Sequence, residues 1–199
     1  MPKVTEAHSA ARRQQIIDAA YRCFARKGFH QTSMRDIYAE AELSSGAVYH
    51  YFDGKDAIIR ASFEFDYERS VALFEAAIGR DDPLQALHDL LDFFFRGLES
   101  AAALNAPRVN VQGWGEALVN PPLHEALQQV FARILAAIEQ IVRQAQAKGE
   151  IDSTIDPDAV ARLFLSLYYG LELQLALYGK VDVASYARAI KTLLVPAAR

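Results

Sequence analysis

Side chains that form hydrogen bonds crowd one short stretch of this 199-residue chain. Ser45, Tyr49 and His50 lie within six residues of one another, and Arg35 lies ten residues before Ser45. Hydroxyl, imidazole and guanidinium groups can donate to the exposed edges of DNA bases and to phosphate oxygens. These residue types therefore indicate non-covalent recognition of a nucleic acid.

Two short helices must position these side chains. The first shows one apolar stripe at the three-to-four spacing of a buried helix face, made by Met34, Ile37, Tyr38 and Ala41. Ser33 and Ser44 stand where helix N-caps belong, and Leu43 can fill the corner between the helices. The second helix is anchored by Val48, Tyr51 and Phe52, which leaves an outward face of Ser45, Gly46, Ala47, Tyr49 and His50. This layout predicts a helix-turn-helix, whose second helix enters the major groove of DNA.

The run from Ala41 to Phe52, followed by Lys55, resembles the signature of the TetR/AcrR family of transcriptional regulators. The positions in register with that signature are Thr32, Ser33, Ser44, Gly46, Tyr49, Tyr51, Phe52 and Lys55. One departure is Glu42, where the family usually has a turn glycine. The turn then either strains a residue that carries a Cβ or has ordinary dihedral angles. The resemblance is closest over residues 10–60.

The rest of the chain is predicted to be helical almost throughout, with proline or glycine at each break. Helices are expected at about 9–27, from 54 or 55 onward, and at about 83–104, 107–119, 121–148, 156–178 and 182–194. With the two short helices this gives an all-α protein of about nine helices, the number usual in the family. The resemblance implies a helix-turn-helix DNA-binding domain at 1–54 and a helical ligand-sensing and dimerisation domain at 55–199.

The predicted DNA-binding residues divide by their chemistry. Arg35 and Ser45 can reach base edges, and the methyl group of Ala47 can lie against a thymine methyl. Tyr49 and His50 can reach phosphates or bases. The full predicted set is Thr32, Ser33, Arg35, Ser44, Ser45, Gly46, Ala47, Tyr49, His50 and Lys55, in which Thr32, Ser33 and Lys55 are expected at phosphates. A merely solvated arginine is the alternative for Arg35.

Charge is distributed unevenly along the chain. Residues 1–60 carry a net +2 and residues 61–199 a net −6, for a total of −4. Within residues 1–35, seven basic residues stand against two acidic ones. A basic end on an acidic body favours a polyanionic partner, although a solvated helix face is the alternative interpretation.

Aromatic and polar residues are interleaved in the C-terminal part, where the resemblance implies a ligand site. The predicted ligand-binding residues are Phe94, Phe95, Asn110, Trp114, Glu116, Phe131, Tyr168, Tyr169 and Glu172. Such a mixture can line an apolar pocket with a few orienting polar groups, or it can be ordinary core. Trp114 and Glu116, between and beside two glycines, could suit a cationic ligand. Glu172 could equally lie at a dimer seam.

The two last helices carry more apolar surface than one protomer needs. In TetR-like proteins these helices pair with their symmetry mates in a four-helix bundle. The predicted dimer interface is Phe164, Leu167, Leu171, Leu175, Tyr178, Tyr186, Ile190 and Leu193. The alternative is a monomer with an unusually large core.

Other classes of protein are disfavoured by the sequence. None of the five histidines is spaced three or four residues from another, and no phosphate-binding glycine loop is present, so neither an enzyme nor a cofactor is expected. One cysteine, Cys23, and no signal-peptide or membrane-length apolar run favour a cytoplasmic protein. The competing function is an all-helical carrier or interaction protein that does not bind DNA.

Overall fold

A computed structural model describes residues 6–102 and 105–194. This part of the chain forms nine α-helices and no strand, so the predicted fold class is confirmed. The helices are α1 Glu6–Gln31, α2 Met34–Glu40, α3 Ser45–Tyr49, α4 Lys55–Ala77, α5 Pro83–Ala102, α6 Ala106–Ala117, α7 Pro121–Ala147, α8 Pro157–Tyr178 and α9 Val183–Leu194.

Local chemistry explains where the long helices begin and end. The side chain of Asn120 caps α7 by accepting from the Leu123 amide, and Asp156 caps α8 by accepting from the Asp158 amide. A proline follows each cap, where its fixed φ and missing N–H are tolerated. Gly179 ends α8 with a left-handed φ of 75°. Gly28 in α1 has φ 77° and ψ 169°, so the predicted stop there is a kink, after which the chain makes one more turn.

Two hydrophobic cores are joined by α4. The core of the N-terminal head contains Ile58 and Phe63 from the first half of α4, together with Val109 of α6 and Leu127 of α7. The core of the body contains Val71, Phe74 and Ala77 from the second half of the same helix. Packing therefore continues across residue 54, the boundary expected from the sequence, and α4 mechanically links the head to the body.

Helix α8 is apolar on a face that the protomer leaves exposed. It is the one described helix long and apolar enough to cross a membrane, although only 28% of its most apolar window is buried in the protomer. The large apolar side chains exposed on it are Leu163, Leu173, Leu177 and Tyr178.

The structure corrects half of the predicted dimer interface. Phe164, Leu171, Leu175 and Ile190 are at most 7% exposed, because they pack in the body core of the same chain. They have no surface to offer a partner. Leu167 and Tyr186 are half-buried and Tyr178 is 73% exposed, so these three still reach the surface. The side chain of Leu193 lies outside the described part of the chain.

Candidate DNA-binding surface and ligand site

Helix α3 is anchored by its inner face and capped at its start. The hydroxyl of Ser44 accepts from the Ala47 amide at 3.2 Å, while Val48 is fully buried and Phe52, just beyond the helix, is 4% exposed. Because the helix is short, these contacts fix which side chains face outward. The exposed residues of this segment are Ser44, Ser45, Gly46, Tyr49 and His50, with Ala47 half-buried beside them.

Helix α2 is capped at its start and held against α1 by a hydrogen bond at its end. Ser33 and Asp36 form a reciprocal capping box at its start. At its end the amide of Gln15, on α1, donates to the Ala41 carbonyl at 2.8 Å. Ile37 is fully buried between these points. The position of α3 relative to the head is therefore fixed by a docked α2.

The turn between α2 and α3 has a strained backbone at Glu42, the first of the two possibilities expected from the sequence. Glu42 has a φ of 56°, in the left-handed region where a Cβ is unfavourable. Its side chain is exposed, and its amide donates to the Ala39 carbonyl at 3.2 Å. The helix-turn-helix geometry is thus kept at a local cost in backbone energy.

Two predicted phosphate donors, one buried and one exposed, form hydrogen bonds within the head. Thr32 is 1% exposed and donates to the Gly28 carbonyl at 2.7 Å, where it closes the kink in α1. The Ser33 hydroxyl donates to Asp36 at 2.7 Å within the capping box. The phosphate role given to the Thr32 hydroxyl was therefore wrong, because that group is buried and has an internal acceptor. Ser33 is exposed, so its contact with phosphate stays a prediction.

Lys55 has a structural role that its sequence position did not predict. Its ammonium group donates to the carbonyls of Phe29 and Thr32, at 2.7 and 3.1 Å. These carbonyls end α1, so Lys55 ties the start of α4 to the end of α1. Two of the three ammonium donors are used in this way.

Part of the basic excess of the head is neutralised by α2. Arg22 and Arg26 both pair with Glu40, and Lys27 pairs with Asp36 at 2.6 Å. These pairs hold the pKa values of Glu40 and Asp36 below their ordinary range, mainly through hydrogen bonds from Arg26 and Lys27 respectively. Arg35, in contrast, is exposed and makes no ion pair with the described residues.

Most of the predicted ligand residues come together in the body. The Trp114 ring meets Tyr169 edge-on at 4.9 Å between ring centroids, and Phe131 lies 5.4 Å from Tyr169. Phe94 and Phe95 both contact Tyr168, which adjoins Tyr169. A cavity of about 40 Å³ lies beside this layer of rings, lined in part by Phe94, Tyr168 and Tyr169.

One buried acid borders the rings. Glu172 is 1% exposed, and the Asn110 amide donates to its Oε1 at 2.6 Å. Burial raises the pKa of Glu172 to about 7, against the lowering effect of the Asn110 hydrogen bond. The possibility that Glu172 lies at a dimer seam is excluded by this burial inside the protomer.

Glu116 does not join this group. It lines a separate surface groove with Asp56 and Arg60, near the start of α4. Residues two apart on a helix face nearly opposite directions, so Glu116 and Trp114 cannot enclose one ligand from the same helix. The expected pairing of these two was therefore wrong.

Sequence reasoning missed two contributors. Tyr67, on α4, lies 5.8 Å from Phe131 and accepts a 3.5 Å hydrogen bond from the Trp114 indole. Its four-residue spacing from Phe63 was a usable signal, since it continues the buried stripe of α4 into the body. Gln112 accepts from the Phe29 amide at 3.2 Å, across 83 positions of sequence, and no local pattern signals such a contact.

Comparison with known proteins agrees with this architecture. Residues 16–62 match the family model of bacterial regulatory proteins of the tetR family, and residues 118–192 match that of the tetracyclin repressor-like C-terminal domain. The chain is 36% identical over 170 residues to the transcriptional repressor Rv1474c of Mycobacterium tuberculosis, covering 84% of this chain and 83% of that one. It is 29% identical over 184 residues to the transcriptional regulator UidR of Escherichia coli K12, covering 92% and 90%.

A solved structure shows the same fold over nearly the whole chain. Salmonella enterica GusR superposes with a TM-score of 0.73 at 30% identity, covering 96% of each chain. The chain therefore belongs to the TetR family of helix-turn-helix transcriptional regulators. It is a DNA-binding regulator of the ligand-responsive type.

Proposed function

We propose that this protein is a cytoplasmic repressor that binds a palindromic DNA operator as a homodimer and is released by a small-molecule effector. The observation that carries this proposal is the outward face of α3, where Ser45, Tyr49 and His50 are exposed while Val48 is buried. Such a helix can enter the major groove without any rearrangement of the head.

The base-reading residues are Arg35, Ser45 and Ala47, with Ser44, Gly46, Tyr49 and His50 beside them. Arg35 is exposed and unpaired among the described residues, which supports a base or phosphate contact. Gly46 has no neighbouring atom within 4 Å of the place a Cβ would occupy, so the backbone there can approach DNA closely. Lys55 can offer at most one ammonium donor to a phosphate.

The exposed apolar face of α8 supports the proposed homodimer. Four large apolar side chains on this one helix are 41–73% exposed, namely Leu163, Leu173, Leu177 and Tyr178. Single exposed apolar residues are common on protein surfaces, but a group of four on one helix indicates an interaction surface. A second copy related by a two-fold axis would cover this face and bring the two α3 helices to half-sites at least about 34 Å apart. Repression in TetR-type proteins is then relieved when a ligand in the body shifts the heads through α4.

Selection from randomised duplex DNA tests the operator proposal. The expected product is a two-fold-symmetric motif, bound by two protomers with an affinity that falls steeply as salt increases. Recovery of no common motif, or binding that is independent of salt, would instead support the all-helical carrier without DNA binding.

A further inference from the structure

Glu172 is a buried acid, and it forms no ion pair with any residue that the structure describes. Within the described part of the chain Asn110 is its one hydrogen-bond partner, and no charged side chain contributes to its pKa. An ionised carboxylate in such surroundings is unfavourable unless an opposite charge arrives. An arriving positive charge would therefore be stabilised strongly here.

Aromatic rings adjoin this acid on helices that pack together. Asn110 and Trp114 are four residues apart on α6, and Tyr169 and Glu172 are three apart on α8, so each pair lies on one face of its helix. Two successive contacts join α6 to α8: Asn110 contacts Glu172, and Trp114 contacts Tyr169 one helical turn away. Tyr67 on α4 and Phe131 on α7 complete the ring cluster.

Rings attract cations by their negative faces, and the attraction is greatest where water is excluded. Water is excluded at Glu172, which is 1% exposed, whereas the rings of Tyr67, Trp114, Phe131 and Tyr169 are half-buried. A carboxylate shielded from water, with several aromatic rings beside it, favours a single chemical class of ligand. Anionic ligands are disfavoured by the same carboxylate.

We propose that the body of this protein binds an organic cation, a quaternary or protonated amine on an apolar scaffold, between Glu172 and the rings of Tyr67, Trp114, Phe131 and Tyr169. This inference rests on the proposed ligand-responsive function and names the ligand class of its site. The cationic head contacts Glu172, and the apolar scaffold extends along the rings towards Phe94 and Tyr168.

Binding requires Tyr169 to move. The cavity lined by Tyr169 has a volume of about 40 Å³, far smaller than the roughly 300 Å³ or more of a typical ligand site, and Glu172 does not line it. Tyr169 lines this cavity and lies on the same face of α8 as Glu172, so rotation of its side chain is the movement that would extend the cavity towards the acid. Gly170, next to it, has no atom within 4 Å of where a Cβ would lie, so the α8 backbone is not crowded there.

The single tryptophan of the chain, Trp114, supplies a direct readout. Benzyltrimethylammonium and its neutral carbon isostere neopentylbenzene have the same shape and differ in charge. Titration of the full-length protein with each, followed by Trp114 fluorescence, compares the two at pH 8. The cation is expected to bind about tenfold more tightly or better, because only the cation interacts with the ionised acid.

The pH dependence assigns this preference to Glu172. The probe charge is permanent, and burial holds the pKa of the Tyr169 phenol beside the acid well above its ordinary value, so this phenol stays neutral from pH 6 to pH 8. Since the folded pKa of Glu172 is about 7, the acid is mostly ionised at pH 8 and mostly neutral at pH 6. The affinity for the cation is therefore expected to fall by roughly tenfold from pH 8 to pH 6, whereas that for the isostere stays constant.

The variant Glu172→Gln should bind both probes equally and lose the pH dependence, while the control Glu116→Gln should behave as wild type. Equal affinity of the wild-type protein for the two probes, or no binding of the cation, overturns the inference without any variant. Operator binding without probe is measured in parallel. If it is intact while the cation preference fails, only the ligand class is wrong; if it is absent, the proposed function itself fails.

Discussion

Glu42 holds the turn of the helix-turn-helix in a conformation that suits glycine better. Its φ of 56° places a Cβ in the left-handed region, and its exposed side chain offsets none of this strain by packing. The variant Glu42→Gly is therefore expected to raise the free energy of unfolding by about 1 kcal/mol, net of the greater freedom of glycine in the unfolded chain.

Urea unfolding measures this change. The matched control is Gln140→Gly, at an exposed position inside α7, where the same added flexibility should lower the free energy of unfolding by about 1 kcal/mol. If both variants were destabilised alike, Glu42 would not be strained.

Individual residues also show the limits of prediction from sequence. The cap at Ser44 and the anchors Val48 and Phe52 follow from spacing alone, because a short helix has one inner face. The role of Lys55 does not, because it depends on carbonyls that the fold brings near from 23 and 26 positions away in the sequence. Polar residues near a recognition helix therefore need the structure before they are assigned to DNA.

At the level of elements, α6 contacts both the ligand region and the head. Asn110 and Trp114 face α8 and α4, while Gln112, on the opposite side of α6, accepts from the Phe29 amide at the end of α1. Gly113 lies so close to Phe63 of α4 that a Cβ there would be 2.0 Å from the ring. A displacement of α6 would therefore change its contacts with both α1 and α4.

The variant Gln112→Ala is expected to loosen this connection. Loss of one hydrogen bond, worth about 0.5–1.5 kcal/mol, should speed hydrogen exchange at the Phe29 amide by roughly 2- to 10-fold. Exchange measured by NMR resolves that amide, and Gln128→Ala, exposed on α7, is the matched control. Unchanged protection of Phe29 in Gln112→Ala would show that this contact does not hold the head to α6.

The elements themselves were largely predictable. Proline, glycine and capping residues mark the boundaries of α5 to α9 to within a few residues, because these signals act locally. Which side of α8 faces the core was not predictable. This helix is apolar nearly all round, so the periodicity of its sequence does not distinguish the core side from the exposed side. That ambiguity placed Phe164, Leu171 and Leu175 at the interface rather than in the core.

For the whole molecule, the exposed face of α8 is expected to hold two protomers together. Leu177 is 68% exposed in the protomer, so Leu177→Glu should leave the fold intact while placing a charge in the dimer interface. Light scattering coupled to size exclusion should then report a monomer at micromolar concentration, with weakened operator binding. The control Leu118→Glu alters a side chain that is 80% exposed between α6 and α7 and should remain dimeric. A dimeric Leu177→Glu, or a monomeric wild type, would contradict the assignment.

The proposed regulation of transcription by this protein depends on contacts between α3 and the edges of DNA bases. Competition binding on the selected operator, with each base pair changed in turn, measures this for Ser45→Ala and for the control Ser100→Ala on α5, both exposed serines. Ser45→Ala is predicted to relax preference by about 1–3 kcal/mol at one base pair in each half-site, symmetrically, while Ser100→Ala keeps the wild-type profile. An unchanged profile for Ser45→Ala, together with unchanged profiles for Arg35→Ala and Tyr49→Ala, would contradict recognition of DNA by this surface.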